Sequence, residues 1–467
     1  MEQVNAKRLL YALVTVLIFE GLIRKLVPSS LGLSIFFLKD ILCVIGLFFV
    51  LKNARFSKLL NRINDKVKNT FSLFIPIVLM TLINGGPILA IFGLKQYLLF
   101  CVIGFLTPIA YPPNKINDFK TFVFFLVLTL FPTVGVATLQ NSLPSSHWLN
   151  LSVDGGSLEA FSAAGRLRVS STFSFTGQFS WYLVLVCPCL ALLLLLPKDK
   201  TAKSLNPITK IISIGAVICL FVGAFITGGR TAVLGCATTL ILGFVLASFR
   251  SPGKLVKRGA IAVAVLIIGT GAIRIAKPEY FEAYDARSQG YGGRTQSEEI
   301  QSRVEDSFFS WTKWGMQQDM ISILFGNGLG ILSNGSEKLS NYAAAAKQSA
   351  FAESDVDVTF WEGGVYLMLI WYFFRVWLII FCFNVWKGIK DEDWAVAASF
   401  LLSYIILNAL MSAIGKQPPL NLWLWLMVGC IITVKNYTDY VESLKKDKKR
   451  VLSPVYNHMS KTLQNVR

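Results

Sequence analysis

The chain alternates long apolar runs with short polar segments along most of its length. A helix needs about 20 apolar residues to cross the hydrocarbon core of a bilayer, and these runs predict about twelve crossings. The predicted crossings are Leu9–Val27, Leu31–Leu51, Phe71–Asn84, Pro87–Ala110, Phe119–Gln140, Gln178–Leu196, Ile211–Thr227, Thr231–Phe249, Gly259–Ala276, Thr359–Val385, Trp394–Ile414 and Leu420–Val434. The pattern therefore predicts an all-α polytopic membrane protein.

One long polar segment interrupts the apolar pattern, and it divides the chain. Residues 1–276 hold the first nine predicted crossings, residues 277–358 form a large loop, residues 359–436 hold the last three crossings, and residues 437–467 form a basic tail. We expect the loop to be extracytoplasmic and to lie over the helical domain. Its Gly326-x-Gly328-x-Gly330 sequence lacks a surrounding strand–helix unit, so we interpret it as a loop turn and not as a dinucleotide site.

Composition and charge support a membrane protein and orient it. Of 467 residues, 54% are hydrophobic and 15% are charged, whereas soluble proteins carry about 25% charged residues. The net charge is +18, and the basic clusters lie in the polar segments after the second, sixth and eighth crossings and in the tail. With twelve crossings these share one side, so the positive-inside rule predicts that both termini are cytoplasmic. Acidic residues outnumber basic ones in the large loop, as expected on the other side.

The positions of the basic residues, cysteines and histidines limit the binding partners and metal sites that the chain could have. The basic residues form no aromatic-interleaved surface, so we expect them to face membrane lipid and not nucleic acid. The 8 cysteines lie inside or beside apolar runs, which predicts buried free thiols. With only two histidines, a multi-histidine metal centre is excluded.

Charges inside the apolar runs are expensive and are candidates for function. They are Glu20, Arg24, Lys25, Lys39, Asp40 and Lys95. One interpretation is mutual pairing, because Glu20 and Arg24 are four positions apart on a helix and Lys39 could neutralise Asp40 or another neighbour. The other interpretation is a cationic cavity that receives a lipid-linked phosphate. The sequence leaves both open.

Arginines collect on the predicted outer side. Arg230 ends a three-residue turn, Gly228-Gly229-Arg230, immediately before a predicted helix whose free N–H groups favour an anion. Arg166 and Arg168 precede the sixth crossing on the same side. Two or three arginines converging there would match a diphosphate. The alternative for Arg230 is an interfacial arginine that reaches the lipid headgroups.

Acidic residues collect where the large loop meets the tenth crossing. The Ala343–Ala346 run predicts a helix that continues through Glu353 and Asp357, which would then share a face because they are four positions apart. A carboxylate there would stand at the membrane surface, where it could act as a general base. Glu362 follows at the start of the tenth crossing, ahead of a glycine pair. The alternative is a solvated acidic face.

Several segments agree, in order, with one known family. RVSSTFSFTGQFS (Arg168–Ser180) resembles an R-x-S-G-T-F segment, and ITGGRTAVLG (Ile226–Gly235) resembles an S-R-G turn between two crossings. The stretch Ser302–Gly330 resembles a loop helix that ends in a G-x-G-x-G turn. ESDVDVTFWEGGVYL (Glu353–Leu367) resembles a segment in which a histidine or glutamate precedes E-x-G. FEGLIRKLV (Phe19–Val27), with FFLKDIL after it, resembles an E-G-x-x-R-K start. Together these segments resemble the bacterial O-antigen ligase and Wzy-type O-antigen polymerase superfamily over essentially the whole chain.

The resemblance implies a GT-C-like glycosyltransferase of the bacterial inner membrane that needs no metal and no nucleotide cofactor. It would transfer a glycan, with inversion, from an undecaprenyl diphosphate carrier to the hydroxyl of a lipid-linked acceptor repeat at the outer face. Further implied partners are a flippase and a chain-length regulator.

The resemblance also assigns roles to residues. Glu353 would be the base, with Asp357 and Glu362 as further catalytic candidates. Diphosphate would be bound by arginines, which are Arg230, Arg168, Arg166, Arg303 and Arg294. Ligases of the family carry a histidine where this chain has Glu353, which disfavours a lipid A-core ligase and leaves a polymerase or a related ligase with a carboxylate base.

Two other classes of membrane protein would show features different from those of a glycosyltransferase. A polysaccharide flippase or transporter is expected to show two repeated halves, and no repeat is visible. A non-catalytic assembly scaffold would require neither Glu353 nor Arg230.

Overall fold

The computed structural model describes residues 2–52, 58–159, 162, 167–196, 207–251, 271, 273–282, 284–285, 296–315, 318–349, 352 and 354–464. Regular structure in these residues is helical. The helices discussed below are α1 (Glu2–Leu26), α2 (Ser29–Lys52), α3 (Lys58–Leu73), α4 (Ile75–Leu98), α5 (Val102–Ala110), α6 (Ile116–Leu128), α7 (Leu130–Ser142), α8 (Thr176–Leu195), α9 (Pro207–Ile226), α10 (Arg230–Ser248), α11 (Gln296–Gly315), α12 (Met320–Phe325), α13 (Asn341–Ser349), α14 (Asp355–Lys387), α15 (Glu392–Met411) and α16 (Pro418–Gln464).

In the described residues, 8 helical stretches are long and apolar enough to cross a membrane. They are Ser30–Lys52, Ile75–Ala110, Pro113–Ser142, Thr176–Leu195, Arg230–Ser248, Asp355–Lys387, Glu392–Met411 and Pro418–Lys446. Ile211–Ile226 is a shorter apolar helix. The prediction of an all-α polytopic membrane protein is thus confirmed. The total of twelve crossings stays a prediction, because most of the ninth run, Gly259–Ala276, lies outside the described residues.

Helix α4 contains a chain reversal at Gly86, where the backbone is non-helical (φ 83°, ψ 173°). The rings of Phe74 and Tyr97 lie 5.6 Å apart, although a straight helix would separate them by about 35 Å. The two arms of α4 are therefore antiparallel, and the Gly85-Gly86-Pro87 turn expected from the sequence is present. A glycine suits this position because a side chain disfavours positive φ.

Helix α14 contains a second reversal, at Gly363 (φ −142°, ψ 16°) and Gly364 (φ 60°, ψ −162°). Asp355 forms an ion pair with Arg375, although a straight helix would hold their Cα atoms about 30 Å apart. We call residues 355–362 the short arm and residues 365–387 the long arm. The tenth crossing predicted from the sequence, Thr359–Val385, differs from the structure here, because its first residues belong to the short arm.

Contacts between helices place the start of α1, the starts of α6 and α15, and Tyr437 of α16 at one end of the bundle. Lys7 Nζ lies 3.2 Å from an Asp118 carboxylate oxygen, Lys120 Nζ lies 5.3 Å from the centre of the Trp394 ring, and that ring packs against Tyr437 at 5.1 Å. We call this the basic end. The large loop lies at the opposite end, where Ser333 Oγ donates a hydrogen bond to the Gly415 carbonyl (2.6 Å). We call that the loop end.

The predicted basic tail is helical where it is described. Helix α16 continues from the last crossing through Gln464, so residues 437–464 prolong the helix.

Part of the large loop is inserted between helices, and the expectation that it only lies over the helical domain needs this correction. The Leu329 N–H donates to Thr81 Oγ of α4 (2.8 Å), and the Gly328 N–H donates to the Glu362 carbonyl of α14 (2.9 Å). A Cβ atom at Gly330 would lie 2.5 Å from Gly93 Cα. The predicted glycine turn is therefore a loop turn, and it fits because glycine allows this close backbone approach.

Candidate functional site

The short arm begins with a capping box that engages Asp357. The Ser354 Oγ accepts from the Asp357 N–H (3.1 Å), and the Asp357 carboxylate accepts from the Ser354 N–H (3.3 Å). Ser310 Oγ of α11 also donates to this carboxylate (2.5 Å). Asp357 is buried, and its hydrogen bonds fix the start of the short arm against α11.

The helix carrying Asp357 begins at Asp355, and the preceding helix α13 ends at Ser349. The expectation of one continuous helix from the Ala343–Ala346 run through Asp357 is therefore wrong. Ser354 caps a new helix because its side-chain oxygen satisfies a free N–H of the first turn. Glu353 itself lies outside the described residues.

Glu362 lies at the end of the short arm and is fully buried. Its carboxylate accepts hydrogen bonds from the Tyr97 hydroxyl of α4 (2.7 Å) and from the Leu332 N–H (3.1 Å). Its main-chain carbonyl accepts from Gly328 (2.9 Å). Glu362 thus joins α4, α14 and the glycine turn.

Asp355, at the other end of the short arm, pairs with the fully buried Arg375 of the long arm. The Tyr372 hydroxyl also donates to Asp355 (3.0 Å), and Arg375 Nη2 donates to the Ser412 carbonyl after α15 (3.3 Å). The pair therefore ties both arms to α15. Sequence reasoning missed Arg375, although a charge inside an apolar run was the available signal. It also missed Tyr97, for which no sequence signal existed.

Arg168 and the turn that carries Arg230 lie together. Helix α10 begins at Arg230, with Gly229 as its N-cap, and the Gly229 N–H donates to Thr227 Oγ (3.1 Å). A Cβ atom at Gly229 would lie only 3.2 Å from Arg168 Nη2 and 3.5 Å from Ser180 Oγ. The structure thus brings two of the predicted arginines to one helix N-terminus.

The other predicted arginines are less defined. Arg166 and Arg294 lie outside the described residues. Arg303 lies on α11, and only the backbone of this residue is described.

Five of the six charges inside the apolar runs form ion pairs, whereas Lys25 donates to the Leu149 carbonyl (2.8 Å). The Glu20 carboxylate accepts from Arg24 (3.4 Å), as expected from their spacing, and from Lys39 (3.0 Å). Asp40 pairs with Lys95 of α4. Lys39 therefore neutralises Glu20 and not its sequence neighbour, because α1 packs against α2 and places Glu20 beside it.

The cysteines agree with the expectation of free thiols. All eight, each in a described part of the chain, are free; seven are buried and Cys219 is half-buried. Within the described ranges no group of three or more His, Cys, Asp and Glu residues could hold a metal ion.

We expect Tyr97→Phe to lower the free energy of unfolding by about 1–3 kcal/mol, because it leaves the buried Glu362 carboxylate short of a hydrogen bond. Thermal unfolding in detergent, with protease cleavage of the glycine turn as a second readout, measures the effect. The matched control is Tyr366→Phe, because the half-buried Tyr366 donates to the Leu73 carbonyl in a hydrogen bond that is exposed to solvent (3.1 Å). Equal, small effects of both variants would show that Glu362 does not hold the turn.

No protein-family model matches this chain, and no curated protein gives a significant match to it.

Proposed function

We propose that this chain is a membrane glycosyltransferase of the O-antigen polymerase type. It transfers a glycan from an undecaprenyl diphosphate carrier to the hydroxyl of a lipid-linked acceptor repeat, at the outer face of the bacterial inner membrane. The observation that carries the proposal is the contact of Arg168 with the turn that positions Arg230. This contact lies in the polar segments that we assign to the outer side, together with the large loop.

The two arginines suit the leaving group. At the N-terminus of α10 the first N–H groups have no partner within the helix, and the helix dipole favours an anion there. Arginine forks bind phosphate oxygens in two-point fashion. A lipid diphosphate leaves as an already ionised group, so its departure requires no general acid, and arginines stabilise the charge that develops on it.

Contacts of the described carboxylates support Glu353 as the base. Asp357, Glu362 and Asp355 each accept hydrogen bonds from protein groups and are buried. A general base needs access to the proton that it removes, and these three carboxylates are already engaged. Glu353 directly precedes the cap of the short arm and is the remaining acid of the predicted set.

The proposed step balances as a single displacement. The acceptor hydroxyl oxygen forms a bond to the anomeric carbon of the donor while the bond from that carbon to the phosphate oxygen breaks. The hydroxyl proton passes to the Glu353 carboxylate, and undecaprenyl diphosphate leaves with the electron pair. Attack opposite the leaving group inverts the anomeric centre.

The test uses purified full-length protein in detergent with an undecaprenyl-diphosphate-linked repeat and no nucleotide sugar. We expect a ladder of polymer, and we expect Glu353→Gln to slow its formation about 100-fold or more, since a general base typically contributes about 10²–10⁴-fold. The matched control is Glu337→Gln, which alters another loop carboxylate that is paired with Lys347.

The other outcomes are equally informative. Transfer of one glycan to a separately added acceptor, without a ladder, would identify a ligase. Movement of the lipid-linked repeat across a membrane without transfer would identify a flippase. A normal ladder from Glu353→Gln would refute the assignment of the base.

A further inference from the structure

A cluster of charged side chains surrounds the ring of Phe36, near the loop end of α1, α2 and α4. Lys39 Nζ lies 3.8 Å, Arg24 Cζ 5.4 Å and Lys95 Nζ 5.5 Å from the centre of this ring. We call these three cations, with the paired acids Glu20 and Asp40, the Phe36 cluster. No more than 11% of any of the five charged side chains is exposed.

Charged residues at the rim extend the cluster towards solvent. Arg24 Nη2 lies 4.0 Å from the Asp154 carboxylate, which also pairs with Lys338 of the large loop. Lys25 donates to the Leu149 carbonyl (2.8 Å). Asp154 and Lys338 are 58% and 42% exposed, so the rim is open to solvent on this side.

The charges of the cluster and its rim do not cancel. The five buried side chains comprise three bases and two acids, and the rim adds two bases and one acid, so two positive charges are in excess and one of them is buried. Buried charge without compensation is costly in an apolar bundle. One buried donor, Arg24 Nε, has no hydrogen-bond partner in the described part of the chain; Asp40 Oδ1 also has none there, but it is an acceptor and does not favour an anion. An excess of two cations, with an arginine N–H left to donate, suits a dianion.

The Phe36 cluster is linked to the Arg168–Arg230 site by one short segment. At one end of this segment Arg168 lies against Gly229. At the other end Ser174 Oγ accepts from Arg24 Nη1 (3.4 Å). Six residues span at most about 20 Å, so the Cα atoms of Arg168 and Ser174, the two ends of this segment, lie within that distance of each other.

We infer that the Phe36 cluster binds a second lipid-linked diphosphate, that of the acceptor carrier, while Arg168 and Arg230 bind the diphosphate of the donor. This inference rests on the proposed function, because a polymerase acceptor carries its own diphosphate. A ligase whose acceptor lacks a diphosphate needs only one such site. Arg24 is the group that meets the ligand at the rim, and Lys39 and Lys95 supply the charge beneath it.

The test is a binding titration of the full-length protein in detergent with undecaprenyl diphosphate, followed by native mass spectrometry. We expect two molecules bound per chain. Arg24→Gln should weaken the second binding event about tenfold or more, because it removes a charge-assisted hydrogen bond, whereas Arg24→Lys, which keeps the charge but not the guanidinium N–H groups, should retain only part of the binding. Lys390→Gln, which removes an exposed cation at the basic end, is the control and should bind two.

Arg24→Gln removes one of the two cations that pair with Glu20 and could therefore unfold the protein. A second variant tests the inference without this risk. Lys338→Gln changes only the exposed rim and should weaken the second event about threefold, the size of a surface charge interaction. Inorganic pyrophosphate should displace the carrier from both sites, whereas phosphatidylglycerol should not.

Three results would overturn the inference. The wild type could bind only one carrier, or Arg24→Gln and Lys338→Gln could both bind two carriers with wild-type affinity. Phosphatidylglycerol could displace the second carrier, which would identify a site for lipid headgroups. Binding requires no turnover, so the two proposals can fail separately. Two bound carriers without a ladder would retain the second site and reject the polymerase. A ladder with one bound carrier would do the reverse.

Discussion

Arg375→Met is expected to lower the free energy of unfolding by about 3–5 kcal/mol, the largest stability effect that we predict. The substitution leaves the Asp355 carboxylate buried without its cation. It also removes the donor to the Ser412 carbonyl, so the tie between the short arm, the long arm and α15 is lost.

Thermal and denaturant unfolding in detergent micelles measure this effect. Lys390→Met is the control, because it breaks the ion pair with Glu442 at the basic end, where the lysine side chain is 67% exposed and such a pair contributes about 0–1 kcal/mol. The double variant Arg375→Met with Asp355→Asn should be more stable than Arg375→Met alone, since it removes the uncompensated charge. If Arg375→Met lowers the free energy of unfolding no more than the control does, the Asp355–Arg375 pair does not hold the short arm against the long arm.

Combined replacement of Arg168 and Arg230 by alanine is expected to slow ladder formation about 100-fold or more, the effect of removing electrostatic stabilisation from a leaving group. Because both side chains are proposed to act on one diphosphate, the single losses should not add. Arg230→Lys should recover only part of the rate, since lysine keeps the charge but not the two-point fork.

Ladder formation at saturating donor is the measurement. Arg62→Ala is the control, an exposed arginine of α3 in the part of the chain that we assign to the cytoplasmic side. Wild-type rates in the double variant would show that the contact of Arg168 with Gly229 serves the fold only. If the double variant does not fold while Arg230→Lys forms the ladder at the wild-type rate, the two arginines likewise serve the fold and not the leaving group.

Features that depend on short-range pattern were predicted well. The bounds of α8, α9, α10 and α15 lie within a few residues of the predicted crossings, because an apolar run of fixed length is enough to define a helix in lipid. The turns at Gly86 and Gly229 were also predicted, since glycine pairs between two apolar runs leave little alternative.

Features that depend on distant partners were not predicted. The sequence places Asp355 and Arg375 twenty positions apart and gives no sign that a glycine pair folds one onto the other. The partner of Lys39 is Glu20, not the adjacent Asp40, because helix packing decides which acid is near. Glu362 was predicted as a catalytic candidate from its position, whereas its contacts with Tyr97 and the glycine turn depend on where the loop inserts.

The fold-back of α14 also has a consequence for biosynthesis. A ribosome makes Asp355 before Arg375, so the carboxylate has already left the exit tunnel when the arginine reaches the insertion machinery. Placing an arginine at the centre of a crossing helix costs about 2.5–3.5 kcal/mol on insertion scales. With its partner made first and joined by a two-glycine hinge, that arginine can be neutralised as soon as the helix enters the bilayer, before the last two helices are inserted.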